Sequence, residues 1–372
     1  MLLTIGVLLG IILIIGVLFV NLNPQFGGKA TAEQQKVYAQ SDNYTNGQFS
    51  NIGGIKSEMS ASDMFKAIRG MFKSIPNAKP EPIDVQHVDS LEVANYKGST
   101  RFVWFGHSAF LLQIDGKTVL IDPMFGAVPA PHPLLGGKRF SDDLPIEIEK
   151  LPKIDAVLIS HDHYDHLDYG SIKKLMHKVD RFYTPLGLGV HLTKWGVEKE
   201  KIVELDWWQE AELEGLVFAS TPAQHFSGRG LTDRDKTQWC SWVIQSNTER
   251  IFFSGDSGYA DHFKEIGQKY GPFDFAMMEC GQYNKLWHEI HMFPEETALA
   301  GVDVKAEKVM PIHWGAFKLA PHAWTDPINR VIAKAEELNL ELVIPEIGKP
   351  TNISEKMPEY NTWWKNYEKT TR

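Results

Sequence analysis

SHDHYDHLD, residues 160–168, is the stretch on which the reading of this chain turns. It places three histidines and three aspartates within nine residues, directly after IDAVLI (154–159), a short apolar run with the look of a buried strand. On an extended chain, side chains two apart point the same way. His161 and His163 therefore share a side, while Asp165 and His166 turn to another, and donors that diverge like this can serve two ions a few ångströms apart. Other strand-like runs end in the same chemistry: LVFAST (216–221) leads to His225, RIFFSG (250–255) to Asp256, and KVMPI (308–312) to His313. One divalent ion would take His161, His163 and His225. The second would take Asp165, His166 and His313, with Asp256 between them as a bridging oxygen donor. Imidazole and carboxylate ligands suit zinc, and also iron or manganese.

The rest of the composition narrows the field. The chain has 372 residues, 43% of them hydrophobic, enough to fill a sizeable core. Its net charge of −9 argues against a nucleic-acid partner, because phosphate backbones select for Lys and Arg. The two cysteines, Cys240 and Cys280, form neither a disulfide framework nor a CxxC zinc pattern and read as small buried hydrophobes. α-Helical and β-strand patterns alternate from about residue 100 without a glycine-rich phosphate loop.

The N-terminus stands apart. MLLTIGVLLGIILIIGVLFV (1–20) carries no charge and is long enough to span a bilayer as a helix. We read it as a retained single-pass anchor in the cell membrane, the rival being a cleaved signal peptide. Lys29 and Lys36 follow the span, which favours a cytoplasmic catalytic domain. Residues 21–80 read as a linker or loosely packed arm, rich in Asn, Gln, Ser and Gly, followed by a helix capped by Ser60 and Asp63. On that helix Met64, Phe65, Ile68, Met71 and Phe72 recur at helical spacing, with Lys66, Arg69 and Lys73 largely on other faces. Such a helix either packs on the domain or lies in the lipid interface. Residues 81–350 form the expected catalytic domain and 351–372 a tail.

Taken together, WFGHSAFLL (104–112), HDHYDHLD (161–168), LDWWQE (205–210), TPAQHFSGRGL (221–231), FFSGDSGY (252–259), IGQKYGPFDFA (266–276), HMFPEE (291–296) and IHWGAF (312–317) resemble the metallo-β-lactamase fold superfamily. Within it they are most similar to the N-acylphosphatidylethanolamine-hydrolysing phospholipase D family. NPQFGG (23–28) resembles bacterial members. The resemblance implies an α/β, four-layer αβ/βα sandwich with a dinuclear metal site at its edge and the same seven ligands. It implies a hydrolase that splits a phospholipid phosphodiester into phosphatidate and an N-acylethanolamine, with a homodimer as a further expectation. His291 is implicated near the substrate, and Asp165 would accept a proton from the bridging water as well as bind metal. For groups that orient the ligands we single out Asp122 and His107, and for a phosphate clamp Arg229. Gln282, Tyr283 and His288 are candidates for the pocket lining. A hydrolase of a small soluble lactone or phosphate ester would use the same dinuclear centre.

Overall fold

The computed structural model describes residues 2–55, 59–354 and 361–369. Helix α1 (Leu2–Leu22) is apolar all round, and its segment Thr4–Leu22 is unburied by the rest of the chain. At about 1.5 Å per residue it is roughly 30 Å long, the thickness of a hydrocarbon core. Next come α2 (Ala32–Tyr38), a small hairpin of β1 (Tyr44–Thr45) and β2 (Gln48–Phe49), α3 (Ala61–Met71) and α4 (Ser90–Asn95).

Two seven-stranded sheets follow. The first contains β3 (Arg101–Trp104), β4 (Phe110–Ile114), β5 (Lys117–Ile121), β6 (Ile154–Leu158), β7 (Val179–Pro185) and β8 (Ile202–Leu205). The second contains β9 (Glu210–Leu213), β10 (Leu216–Thr221), β11 (Ser241–Gln245), β12 (Arg250–Phe253), β13 (Phe275–Glu279), β14 (Lys308–Ile312) and β15 (Glu341–Leu342). The short β16 (Thr351–Asn352) returns to pair with β3. The spatial orders are β16-β3-β4-β5-β6-β7-β8 and β15-β14-β13-β12-β11-β10-β9. In each sheet an antiparallel group passes into a parallel one, β5 to β8 and β12 to β15. Parallel neighbours need crossovers; here these include α5 (Tyr169–Leu175), α6 (Gly189–Trp195), α7 (His262–Lys269), α8 (Pro294–Asp303) and α9 (Asp326–Leu338).

Period-2 side-chain alternation builds the layers. On β3, Phe102 and Trp104 enter the core between the sheets, while Val103 joins the outer core with Ile172 and Leu175 of α5 and Leu192 of α6. Asp115-Gly116 turns the hairpin between β4 and β5: Ile114 pairs with Lys117, and both turn residues have positive φ, 47° and 73°.

Two segments differ from their sequence reading. Much of the stretch read as a linker is packed on the domain, because its few aromatic residues have a core to enter: Tyr38 and Phe49 are buried, and Asn51 reaches the site. The tail carries two tryptophans for the same reason. Trp363 and Trp364 are buried, and Trp363 stacks at 5.6 Å on Trp314. By contrast, α3 leaves Met64, Phe65 and Ile68 exposed, with Phe72 just beyond it 86% exposed.

Candidate metal centre

The C-terminal ends of the parallel strands meet at one edge, where open α/β sheets bind ligands. β5 delivers Asp122, β6 the loop 160–168, β12 Asp256, β13 Glu279 and β14 His313. The loop after β6 turns on hydrogen bonds from the His166 and Leu167 amides to His163 O, at 3.1 and 2.8 Å. Its three aspartates have separate tasks. Asp168 caps α5 by accepting from Ser171 N at 2.7 Å. Asp162 points away from the site and accepts from Gly228 N at 2.8 Å and Thr237 Oγ1 at 3.0 Å, with His191 Nε2 at 3.3 Å. Asp165 points in.

The structure brings together all seven donors. His161 Nε2 lies 3.0 Å from His163 Nδ1, which is 3.1 Å from His225 Nε2. His225 Nδ1 faces Ile290 O at 3.0 Å. A carbonyl only accepts, so Nδ1 carries the proton and Nε2 presents a lone pair. Likewise His166 Nδ1 donates to the Asp122 carboxylate at 2.7 Å, which leaves Nε2, buried and without a hydrogen-bond partner, as the nitrogen that faces the site. Lone pairs gathered at these separations repel unless a cation lies among them. Tetrahedral zinc with bonds of about 2.1 Å would set its nitrogens roughly 3.4 Å apart, close to what is found. Asp256 Oδ2 stands between the groups, 3.8 Å from both His161 Nε2 and His225 Nε2 and 3.2 Å from His166 Nε2. Asp165 Oδ2 lies 3.6 Å from His166 Nε2 and 3.9 Å from His313 Nε2. The donor sets therefore fit divalent metal.

Electrostatics agree for three of the imidazoles. Burial, reinforced by neighbouring imidazoles, pushes His161 and His225 well below the usual histidine range, and burial together with His107 does the same to His313. They are neutral near pH 7, the form that ligates. His166 goes the other way: burial would lower it, but Asp256, Asp165 and the Asp122 hydrogen bond outweigh burial. For Asp165, burial is overcome by His166 and His107, and its carboxyl stays well below the usual range.

Of the supporting residues, Asp122 accepts from Ser160 N at 2.7 Å and Ser160 Oγ at 2.5 Å besides holding His166. His107 Nε2 meets Asp165 Oδ2 at 2.9 Å. The His107 amide donates to Trp314 O at 2.8 Å and the His313 amide to His107 O at 3.1 Å, so two loops lock each other. His107, Asp122 and His313 all take left-handed φ, at 56°, 40° and 66°, strain of a kind that collects at functional sites.

Others lie elsewhere than expected. Arg229 reaches neither a phosphate pocket nor the surface. It is buried, donates to Gln25 O, Asp162 O and Leu167 O, and stacks on Tyr164. A guanidinium with five donors is the natural filler for a loop crowded with carbonyls. Gln282 Nε2 donates to His313 O at 3.1 Å and Phe317 O at 3.2 Å, bracing the loop after β14. Tyr283 is turned away, bonded to Asp326 and stacked on His322. His288 faces Glu296 at 2.8 Å at the start of α8. His291 is at the centre, its ring 5.0 Å from His225 and 5.4 Å from His313. Glu279, its carboxylate partner at 3.1 Å, escaped the sequence reading, although a lone acid closing the apolar run FAMM was a visible signal.

With this geometry in place, the comparisons with known proteins are direct. The β-lactamase superfamily domain matches residues 117–314, and the chain belongs to that family: it is a metal-dependent hydrolase of the metallo-β-lactamase superfamily. Among relatives, an uncharacterized protein of Mycobacterium tuberculosis is 42% identical over 267 residues, 70% of this chain and 71% of that one. The N-acyl-phosphatidylethanolamine-hydrolyzing phospholipase D 1 of Caenorhabditis elegans is 32% identical over 270 residues, covering 68% and 76%. Igni18, a metallo hydrolase from the archaeon Ignicoccus hospitalis, shares the fold, with a TM-score of 0.51 at 23% identity, covering 68% of this chain and 98% of its own.

Proposed function

We propose that the protein is a membrane-tethered dinuclear phosphodiesterase of the phospholipase D type, cleaving N-acylphosphatidylethanolamine-like lipids into phosphatidate and N-acylethanolamine. The observation that carries the dinuclear reading is the position of Asp256 Oδ2, within 3.8 Å of nitrogen donors from both clusters. His161, His163 and His225 would hold one ion, and Asp165, His166 and His313 the other. Bound there, two divalent cations would lower the pKa of a shared water and offset the charge of a phosphodiester.

The chain's own residues supply the rest. Asp122 fixes the His166 ring and Ile290 O fixes His225, so the ligand tautomers are set by the fold. Asp165, held by His107, is placed to take up a proton from water, and His291 offers a ring nitrogen to the substrate's oxygens. The lipid reading is supported by the C. elegans relative, by α1, and by the exposed apolar residues of α3 beside Lys66 and Arg69.

The test is a substrate panel. Metal-replete protein is incubated with N-acylphosphatidylethanolamine, phosphatidylethanolamine and a set of lactones, and products are identified by mass. Release of N-acylethanolamine and phosphatidate, abolished by a chelator, is expected. Lactone turnover with untouched phospholipids would transfer the assignment to the soluble-ester reading.

A further inference from the structure

Glu279 ends β13 with 0% of its side chain exposed. Oε1 lies 3.1 Å from His291 Nδ1, and Oε2 accepts from Met292 N at 3.0 Å. Its backbone is pinned as well: its amide donates to Ser254 Oγ at 2.9 Å, and its carbonyl accepts from Thr297 Oγ1 at 2.7 Å. Among the described residues no Lys or Arg is paired with it. A buried carboxylate without a cation is costly, and a Met or Leu would pack a strand end better. His291 belongs to the loop 289–292, which also orients His225 through Ile290 O and is tied to Gln224 through Glu289 O. The His291 side chain is 13% exposed. Its ring lies edge-on to His225 and has a ligating atom within 4.8 Å of donors of His225 and Asp256. With Nδ1 engaged by Glu279, Nε2 is the heteroatom left for the pocket.

We infer that Glu279 is a positioning residue for this hydrolase. Its carboxylate, fixed by the Met292 amide, holds the proton of His291 on Nδ1 and sets the ring plane, so that Nε2 addresses the oxygens of the bound phosphodiester. The role rests on the hydrolase reading above and extends it to a residue outside the ligand set. Burial pushes the Glu279 carboxyl up to about 7, against the hydrogen bonds from His291 and the Met292 amide.

The test is a double-mutant cycle on the metal-loaded full chain, with Glu279→Gln, His291→Ala and both together. We expect unchanged metal content throughout. Glu279→Gln should lower kcat by about 10- to 100-fold, the range seen when partners of this kind are removed, with KM changed by less than about twofold and no further loss when it is added to His291→Ala. Nitrogen-15 spectra of His291 should show a single Nδ1–H tautomer in the parent chain and a mixture in Glu279→Gln. Additive losses, a missing metal equivalent (which would make Glu279 a ligand) or an unaltered tautomer would overturn the assignment. Should Glu279→Gln fail to fold, Glu279→Asp, which withdraws the charge by one methylene, must show the same kcat loss and the same tautomer change, and the absence of either overturns it. If the parent chain with both metals turns over no ester, the hydrolase reading falls, and a single tautomer that Glu279→Gln leaves intact would still dispose of the positioning role separately.

Discussion

Asp256 is the residue on which the two donor groups depend together. Its Oδ2 faces three imidazole nitrogens, and His313 Nδ1 lies 3.0 Å from Oδ1. Asp256→Asn keeps the shape and removes the anionic charge between the two proposed cations. Metal content measured on purified protein should fall from two equivalents to one or fewer, with turnover falling in parallel; retention of both would remove the bridge. The convergence of seven donors was legible because ligand chemistry restricts residue type and strand ends restrict position. Asp162 and His191 were not, because each acts on a partner far away in sequence. Nothing local distinguishes an aspartate that braces a loop from one that enters the site, as the neighbours Asp162 and Asp165 demonstrate.

At the scale of elements, the strands that could be read were those with clean apolar runs. β7 escaped because VDRFYTP carries Asp180 and Arg181, and β9 because EAEL is an edge strand with alternate residues in solvent. Both needed neighbouring strands to declare themselves. Helix α7 offers a test free of the metal ligands. His262 at its start is buried beside Ser257 Oγ at 3.2 Å, and burial pulls it down to about 3 from an ordinary value of 6.5. The unfolded chain then binds this proton first as pH falls. The stability it permits is complete above about 6.5 and declines as the pH drops toward 3. Urea unfolding over that range should show a shallower decline for His262→Gln than for the parent chain; parallel curves would remove His262 as the source.

For the whole molecule, the sandwich could be anticipated from the motif blocks, whereas the fastening of its N-terminal arm could not. Asn23–Gly28 runs across the domain as a strap: Trp195 Nε1 donates to Pro24 O at 2.7 Å, Arg229 Nε to Gln25 O at 2.8 Å, and Gly28 N to His191 Nδ1 at 3.0 Å. Side chains at Gly27 or Gly28 would collide with the His191 ring or Val190 O, so the glycines serve close approach. Phe19, near the end of α1, packs edge-on against Phe26 at 5.5 Å. The strap thus joins the apolar helix to the very residues, Arg229 and His191, that grip the loop between β6 and α5.

With α1 in a bilayer, as proposed, that fastening would limit how far the centre strays from the membrane. Six residues span at most about 20 Å even when fully extended, and this strap is bonded down along its length. An enzyme held at such a height would meet the proposed lipid substrate by travel within the leaflet, not by collision from bulk water. Its velocity should follow the mole fraction of substrate in mixed vesicles and stay level when vesicles of fixed composition are diluted together with the protein they carry. Velocity that tracked bulk lipid concentration instead would mean that the tether does not set the encounter.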